Sequence, residues 1–296
     1  MNVSVAMREK LIETGFFLAS LLAVLVLLGI FGFLLFTGIG AFSQISFGSF
    51  FFGTLWNPGA YAGPQWGILG LLVGTLMVTV GALVLAIPLG IGCAVYLSEL
   101  ASPRTREIIK PAIEMIAAIP SVVLGLIGLL FLSPLVAALF GVSSGLNALS
   151  ASIVVAVMVL PTIISVSEDV LTSLPREFRE ASLALGADRF QTIFRVLIPA
   201  ALPGIGAAIM LGLGRAVGET MAVLMVAGNA LAMPESFLDP VRPMTANIAI
   251  EIKEVVQGSL HYEALFAIGL VLFILTFLVN LLATLVIERH ARRFQW

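Results

Sequence analysis

Charge is what this chain most lacks: Asp, Glu, Lys and Arg supply 11% of its 296 residues, against about 25% in soluble domains. Sixty per cent of the residues are hydrophobic and mean hydropathy is +1.12. A water-soluble fold is excluded, and the polar stretches are too short to build a separate soluble core. Cysteine is almost absent as well. Cys93 stands alone in an apolar run, which excludes an intrachain disulfide and a cysteine metal cluster, and it reads as a small buried residue. No segment carries the G-x-x-x-x-G-K-[ST] phosphate cradle, so the chain is expected to bind no nucleotide and to catalyse no reaction. His261, beside Tyr262, has no second His, Cys or carboxylate at ligand spacing and reads as an interfacial hydrogen-bonding residue. No cofactor, metal or nucleic acid is expected on this chain.

Long hydrophobic runs are present in quantity. A bilayer core needs about 20 apolar residues of helix, and lipid offers no partners to backbone polar groups, so each spanning run must be helical. Six runs qualify, at about 13–37, 67–97, 113–140, 148–167, 200–228 and 263–287. The expected fold class is therefore all-α: a polytopic protein with six transmembrane helices, forming one membrane domain over 1–296. The first run is longer than a signal-peptide core and reads as a retained span. Pro88 and Pro120 are candidate kink points. Gly70, Gly74, Thr75 and Thr79 give the second run a small-residue face for close helix packing.

Twelve of the fifteen Lys and Arg flank these runs on one side, in the segments before the first, between the second and third, between the fourth and fifth, and after the sixth. The opposite loops, 38–66, 141–147 and 229–262, hold Arg242 and Lys253. The positive-inside rule then places both termini in the cytoplasm of a multi-pass protein in the lipid bilayer. The outer stretch from Ser43 to Trp66 has no charge but carries Phe50, Phe51, Phe52, Trp56, Tyr61 and Trp66, suited to an interfacial aromatic belt.

The longest basic-side connection, 173–199, is punctuated for two short helices. Pro175 fits a first helical turn, and Leu174, Phe178, Ala181 and Leu185 fall on one face. Gly186 suits a left-handed C-cap, Asp188 with Gln191 resembles a capping box, and Pro199 marks the end of the second helix. Two readings fit: an amphipathic helix packed on its own bundle, or a docking knob with small Ala181 and Ser182 inside a rim of Arg176, Glu177, Arg179 and Glu180. Glu180, Ala181, Ser182, Gly186, then Val196, Leu197, Ile198 and Pro199 resemble the EAA loop of bacterial ABC importer permeases, with Ser182 for the second Ala and Val196 for the usual Ile. That resemblance implies a type I importer permease fold whose loop is the coupling helix of a separate cytoplasmic ATPase dimer, where ATP and Mg2+ would bind.

Arg215 and Glu219 lie inside the fifth run. A charge at mid-bilayer costs about 2.5–3.5 kcal/mol on insertion scales and so faces a protein interior with a partner. One helical turn apart, the two residues can pair. They are either a self-neutralising structural pair or an oxyanion contact, in which the guanidinium fork meets phosphate or sulfate and Glu219 holds Arg215 or accepts from a protonated anion.

GRAVGETMAVLMVAGN, DPVRPMTANIAIE and GSLHYEALFAIGLVLF, together with most of the chain from about residue 65 onward, are similar to the PstC-type permeases of phosphate ABC importers. The resemblance implies import of inorganic phosphate across the bacterial inner membrane, with Arg215 and Glu219 on the substrate pathway and Glu180, Ala181, Ser182 and Gly186 in ATPase coupling. It also implies a heterodimer with a PstA-like permease and delivery by a periplasmic phosphate-binding protein. Arg242, Thr245 and Asn247 receive no role. Alternatives are a sulfate or molybdate permease, a proton-coupled secondary transporter using Glu219, and a membrane scaffold that reports phosphate status.

Overall fold

The computed structural model describes residues 3–61 and 63–291. Among them, six helices are long and apolar enough to cross a membrane: Glu9–Ser43, Leu69–Leu100, Ser121–Phe140, Ala148–Ser173, Arg189–Gly218 and Leu260–Leu285. In chain order the helices are α1 (Val3–Gly40), α2 (Phe47–Phe52), α3 (Leu69–Val95), α4 (Pro103–Ala117), α5 (Ser121–Ile127), α6 (Ser133–Phe140), α7 (Ala148–Ser173), α8 (Arg176–Ala184), α9 (Arg189–Thr192), α10 (Ile198–Gly218), α11 (Met221–Val226), α12 (Met244–Glu251) and α13 (Leu260–Ala291). Single π-turns at Tyr96–Leu100, Gly128–Leu132 and Ile193–Leu197 extend α3, join α5 to α6 and join α9 to α10. A two-residue hairpin pairs β1 (Trp56–Asn57) with β2 (Gln65–Trp66) in the aromatic loop.

The bundle is organised around α7, which packs chiefly on α3 and α10 and also meets α4, α5 and α11. The apposition with α3 follows from residue size. Ala82, Ala86, Gly90 and Ala94 recur every four residues and all are buried, forming the stripe that lets backbones approach. A Cβ on Gly90 would stand 2.7 Å from Ile163 Cγ2, and one on Gly212 of α10 would stand 2.9 Å from Ile163 Cγ1. Ile163 of α7 is thus wedged between two helices that both yield it a glycine. Gly70, Gly74, Thr75 and Thr79 are buried, but the two glycines yield room to loop residues, Gly70 to Thr54 O and Leu231 O and Gly74 to Val241, and not to a neighbouring helix as expected; Thr75 Oγ1 accepts from Met244 N at 2.9 Å, tying α12 to α3. Cys93 lies off the stripe and is exposed. The expectation of burial fails because α3 turns its small residues, and not this face, toward α7.

The first helix is peripheral. It packs along α13, where a Cβ on Gly38 would lie 2.9 Å from Ala267 N, and the Phe31–Phe273 and Phe33–Phe266 ring pairs continue the seam.

Three boundaries differ from the expectation. Pro120 does not kink a long third span; it separates an amphipathic α4, without buried residues, from α5. Pro199 does not end a helix, because it sits in the first turn of α10, where a missing N–H costs little, with the π-turn before it. The fifth span does not run to 228. It ends at Gly218, and Glu219 is extended with φ −68° and ψ 124°.

Candidate functional site

That break at Glu219 and Thr220 is the centre of the site. Glu219 Oε1 accepts from Ala222 N at 3.1 Å, satisfying a donor that the start of α11 leaves open. Thr245 Oγ1 of α12 donates to Glu219 O at 3.2 Å, capping a carbonyl freed where α10 stops. The expected pairing of Arg215 with Glu219 is absent: no ion pair joins them. The four-residue spacing aligns side chains in a continuous helix, and the helix ends between them. Arg215 lies in the last turn of α10, where the helix dipole favours a cation. Among the described residues its half-buried guanidinium makes one hydrogen bond, from Nη1 to Thr162 Oγ1 at 3.4 Å. Of five N–H donors, most are unspent.

A second polar cluster lies toward the aromatic hairpin. The chain turns at Gly228 (φ +82°) and Asn229 (φ +55°), and Gly228 bridges to Val241. Arg242 Nε donates to Asn229 O at 2.9 Å, and its Nη1 reaches Asn247 Oδ1 at 3.4 Å and Glu251 Oε1 at 3.3 Å. Desolvation lowers the Arg242 pKa from its usual value, with the Glu251 charge working the other way. Glu251 is held more firmly by others: Trp56 Nε1 donates to its oxygens at 2.9 and 3.1 Å, and His261 Nε2 lies 2.7 Å from Oε2. His261 is thus a hydrogen-bonding residue, as expected.

On the basic side, the helix–turn–helix over 176–192 forms as its punctuation predicts, with Gly186 at φ +84°. Asp188 and Gln191 make both bonds of the capping box. Pro175 is the N-cap and not part of the first turn. Glu180 and Ala181 are exposed, and Leu185 is 89% exposed. Phe178, Ala181, Leu185 and Val196 line a shallow apolar concavity. Ser182 is buried at the floor of that concavity, and its Oγ lies 3.0 Å from Thr192 Oγ1, so it also locks the two short helices together.

Arg179 leaves the expected charged rim and turns inward. Its Nη2 meets Glu99 Oε1 at 2.5 Å, its Nε donates to Glu99 Oε2 at 3.0 Å, and Nη1 and Nη2 cap Leu174 O at 3.1 Å and Leu171 O at 2.9 Å. The bond to Glu99 raises the Arg179 pKa from its usual value. Nearby, Glu168 is 1% exposed and is paired with Arg106 and with Lys110, whose Nζ lies 2.6 Å from Oε2. Lys110 also reaches Asp169 Oδ1 at 2.7 Å. Neither clamp follows from the apolar pattern of the sequence. Arg106 and Lys110, four apart on an amphipathic helix, are the available signal, and the fourth apolar run ends at residue 167, one short of the buried carboxylate.

Comparison with known proteins supplies the context for this geometry. The chain is 42% identical over 227 residues to the probable ABC transporter permease protein YqgH of Bacillus subtilis, covering 77% of this chain and 73% of that one. It is 37% identical over 291 residues to the phosphate transport system permease protein PstC of Mesorhizobium japonicum, covering 92% and 88%. A chain in the crystal structure of a bacterial alginate ABC transporter, in complex with an alginate pentasaccharide-bound periplasmic protein, superposes with a TM-score of 0.60 at 17% identity, covering 96% of each, which speaks for the fold alone. The family model for the binding-protein-dependent transport system inner membrane component matches residues 86–294, and with six spans around a helix–turn–helix on the basic side, the chain belongs to that family.

Proposed function

We propose that this chain is a permease subunit of an ATP-driven importer that moves inorganic phosphate across the bacterial inner membrane, with Arg215 as the intramembrane anion contact. The observation that carries the reading is the guanidinium at the helix break, whose donors are largely unspent and whose neighbouring carboxylate is occupied elsewhere. A fork of donors fits a tetrahedral oxyanion, and a residue so costly to place in the membrane is a functional site by default. Glu219 holds the start of α11 in place and offers its second oxygen to a protonated anion. The relatives named as phosphate permeases support the choice of anion.

In this reading the basic side is cytoplasmic, both termini included, and the hairpin side faces outward. The exposed face around Glu180 and Ala181 seats on a cytoplasmic ATPase dimer, which binds ATP and Mg2+. Gly186 permits the turn and Ser182 stiffens it. A second, PstA-like permease completes the pathway, and a phosphate-binding protein delivers the anion from outside. The test is uptake of radiolabelled phosphate and sulfate by proteoliposomes holding all partner chains. Phosphate uptake is expected, and Arg215→Lys, which replaces a fork by a point charge, lowers it at least tenfold, about 1.4 kcal/mol or more. Uptake at the wild-type rate in that variant removes Arg215 from the pathway, and preference for sulfate overturns the choice of anion.

A further inference from the structure

The polar cluster around Arg242 holds side-chain atoms that the fold leaves without partners. Asn247 is 0% exposed, and its Nδ2 donor has no hydrogen-bond partner among the described residues. Asn229 Oδ1, an acceptor, is likewise buried and unpartnered. Both residues are tied to one guanidinium, Asn229 through its backbone carbonyl and Asn247 through Oδ1. A buried polar atom left unpaired costs stability, and this cluster concentrates two beside an arginine. Arg242 is not spent on its ion pair either. Its 3.3 Å approach to Glu251 is the longest contact that carboxylate makes, behind Trp56 and His261. The side chain of Arg242 is 17% exposed, so it is not sealed inside the fold.

Position ties the cluster to the pathway. Asn247 and Thr245 stand on α12, and Thr245 reaches the carbonyl of Glu219 at the helix break. Asn229 donates from Nδ2 to Leu224 O at 2.7 Å, fixing it to α11, which begins at that break.

We infer that Arg242, Asn247 and Asn229 form an outer receiving site for a tetrahedral oxyanion, one step before Arg215. This rests on the oxyanion-import reading above. Arg242 supplies the charge and Asn247 Nδ2 a donor to an anionic oxygen. Asn229 Oδ1 accepts from a hydroxyl of a protonated anion, which a fully ionised anion cannot satisfy. Glu251 is a positioning residue: it holds Arg242 and offsets its charge. Partial neutralisation suits a passing site, where binding must be strong enough to admit the anion and weak enough to release it.

The test is the ratio of phosphate taken up to ATP hydrolysed by the complete complex in proteoliposomes. Asn247→Asp is the informative variant. As a packing residue, aspartate accepts from Arg242 better than the amide does, so the ratio holds. At an anion site it removes the donor and adds like charge, and the ratio falls about tenfold or more, the worth of one hydrogen bond to a charged group. Asn247→Leu, close in shape, gives the same fall by deleting the donor. Wild-type ratios in both variants, or uptake and hydrolysis falling in parallel in both, overturn the inference. A wild-type complex that imports sulfate instead of phosphate overturns the assignment of the anion, not this site, and the same ratio is then read with sulfate.

Discussion

Replacing Arg179 by alanine tests how the helix–turn–helix over 176–192 is fastened to the bundle. The guanidinium joins three elements: the carboxylate of Glu99 at the end of the second span, and the carbonyls of Leu171 and Leu174 where α7 gives way to α8. Its side chain is 23% exposed and that of Glu99 10%, so the pair is largely desolvated. Removing one partner of a buried pair costs about 3–5 kcal/mol, chiefly because the other charge stays buried alone. A loss of about 3 kcal/mol raises the population in which 174–197 is detached by about a hundredfold. Amide hydrogen exchange of the solubilised complex reads this directly: amides of α8 and α9 exchange about a hundredfold faster in Arg179→Ala, while those of α7 near Ile163 are unchanged. Adding Glu99→Gln removes the stranded charge and restores part of the protection, giving a coupling energy from the double-mutant cycle. Exchange within twofold of wild type in Arg179→Ala would refute the fastening role.

Two further outcomes follow from the packing and the second clamp. Gly90→Val places a methyl-bearing branch against Ile163 and lowers the thermal midpoint of the solubilised chain, at an overpacking cost of about 1–3 kcal/mol; adding Ile163→Ala recovers stability, and no recovery would mean the clash lies elsewhere. Hydrogen bonds to Asp169 and Glu168 raise the Lys110 pKa above its ordinary 10.5. A cation whose folded pKa is raised stabilises fully below the unfolded value and loses that stabilisation as pH rises through the folded one. Stability is therefore insensitive to this group at neutral pH and falls above about 10.5, and Lys110→Arg extends the plateau because guanidinium stays charged. A fall at the same pH in the Arg variant would assign it to another group.

The six spans and the capping box at Asp188 were legible because each is written in local sequence, as runs of apolar residues or as an N-cap with its third-residue partner. Gly186 was legible for the same reason, since a left-handed φ announces itself as glycine after a helix. The helix break was not. Arg215 and Glu219 have the spacing of a helical ion pair, and no proline stands between them to deny it; the break is stabilised by Thr245, 26 residues after Glu219. Trp56 and Glu251, 195 residues apart, show the same limit, since both were visible as residue types and invisible as partners. Ser182 is legible by its size as a residue of the face that carries Ala181, and it does line the concavity there. Its buried contact with Thr192 depends on how two helices fold across the Gly186 turn, which spacing does not reveal.

Because Pro199 is absorbed within a helix, the segment Arg189–Gly218 is one 30-residue rod, about 45 Å long at 1.5 Å per residue. One end emerges from the Asp188 cap and the other stops at Gly218, with Arg215 in its last turn. A displacement at the Asp188 end therefore arrives at the arginine as tilt or twist of a lever, softened at the wide turn of residues 193–197, without any signal having to pass from residue to residue.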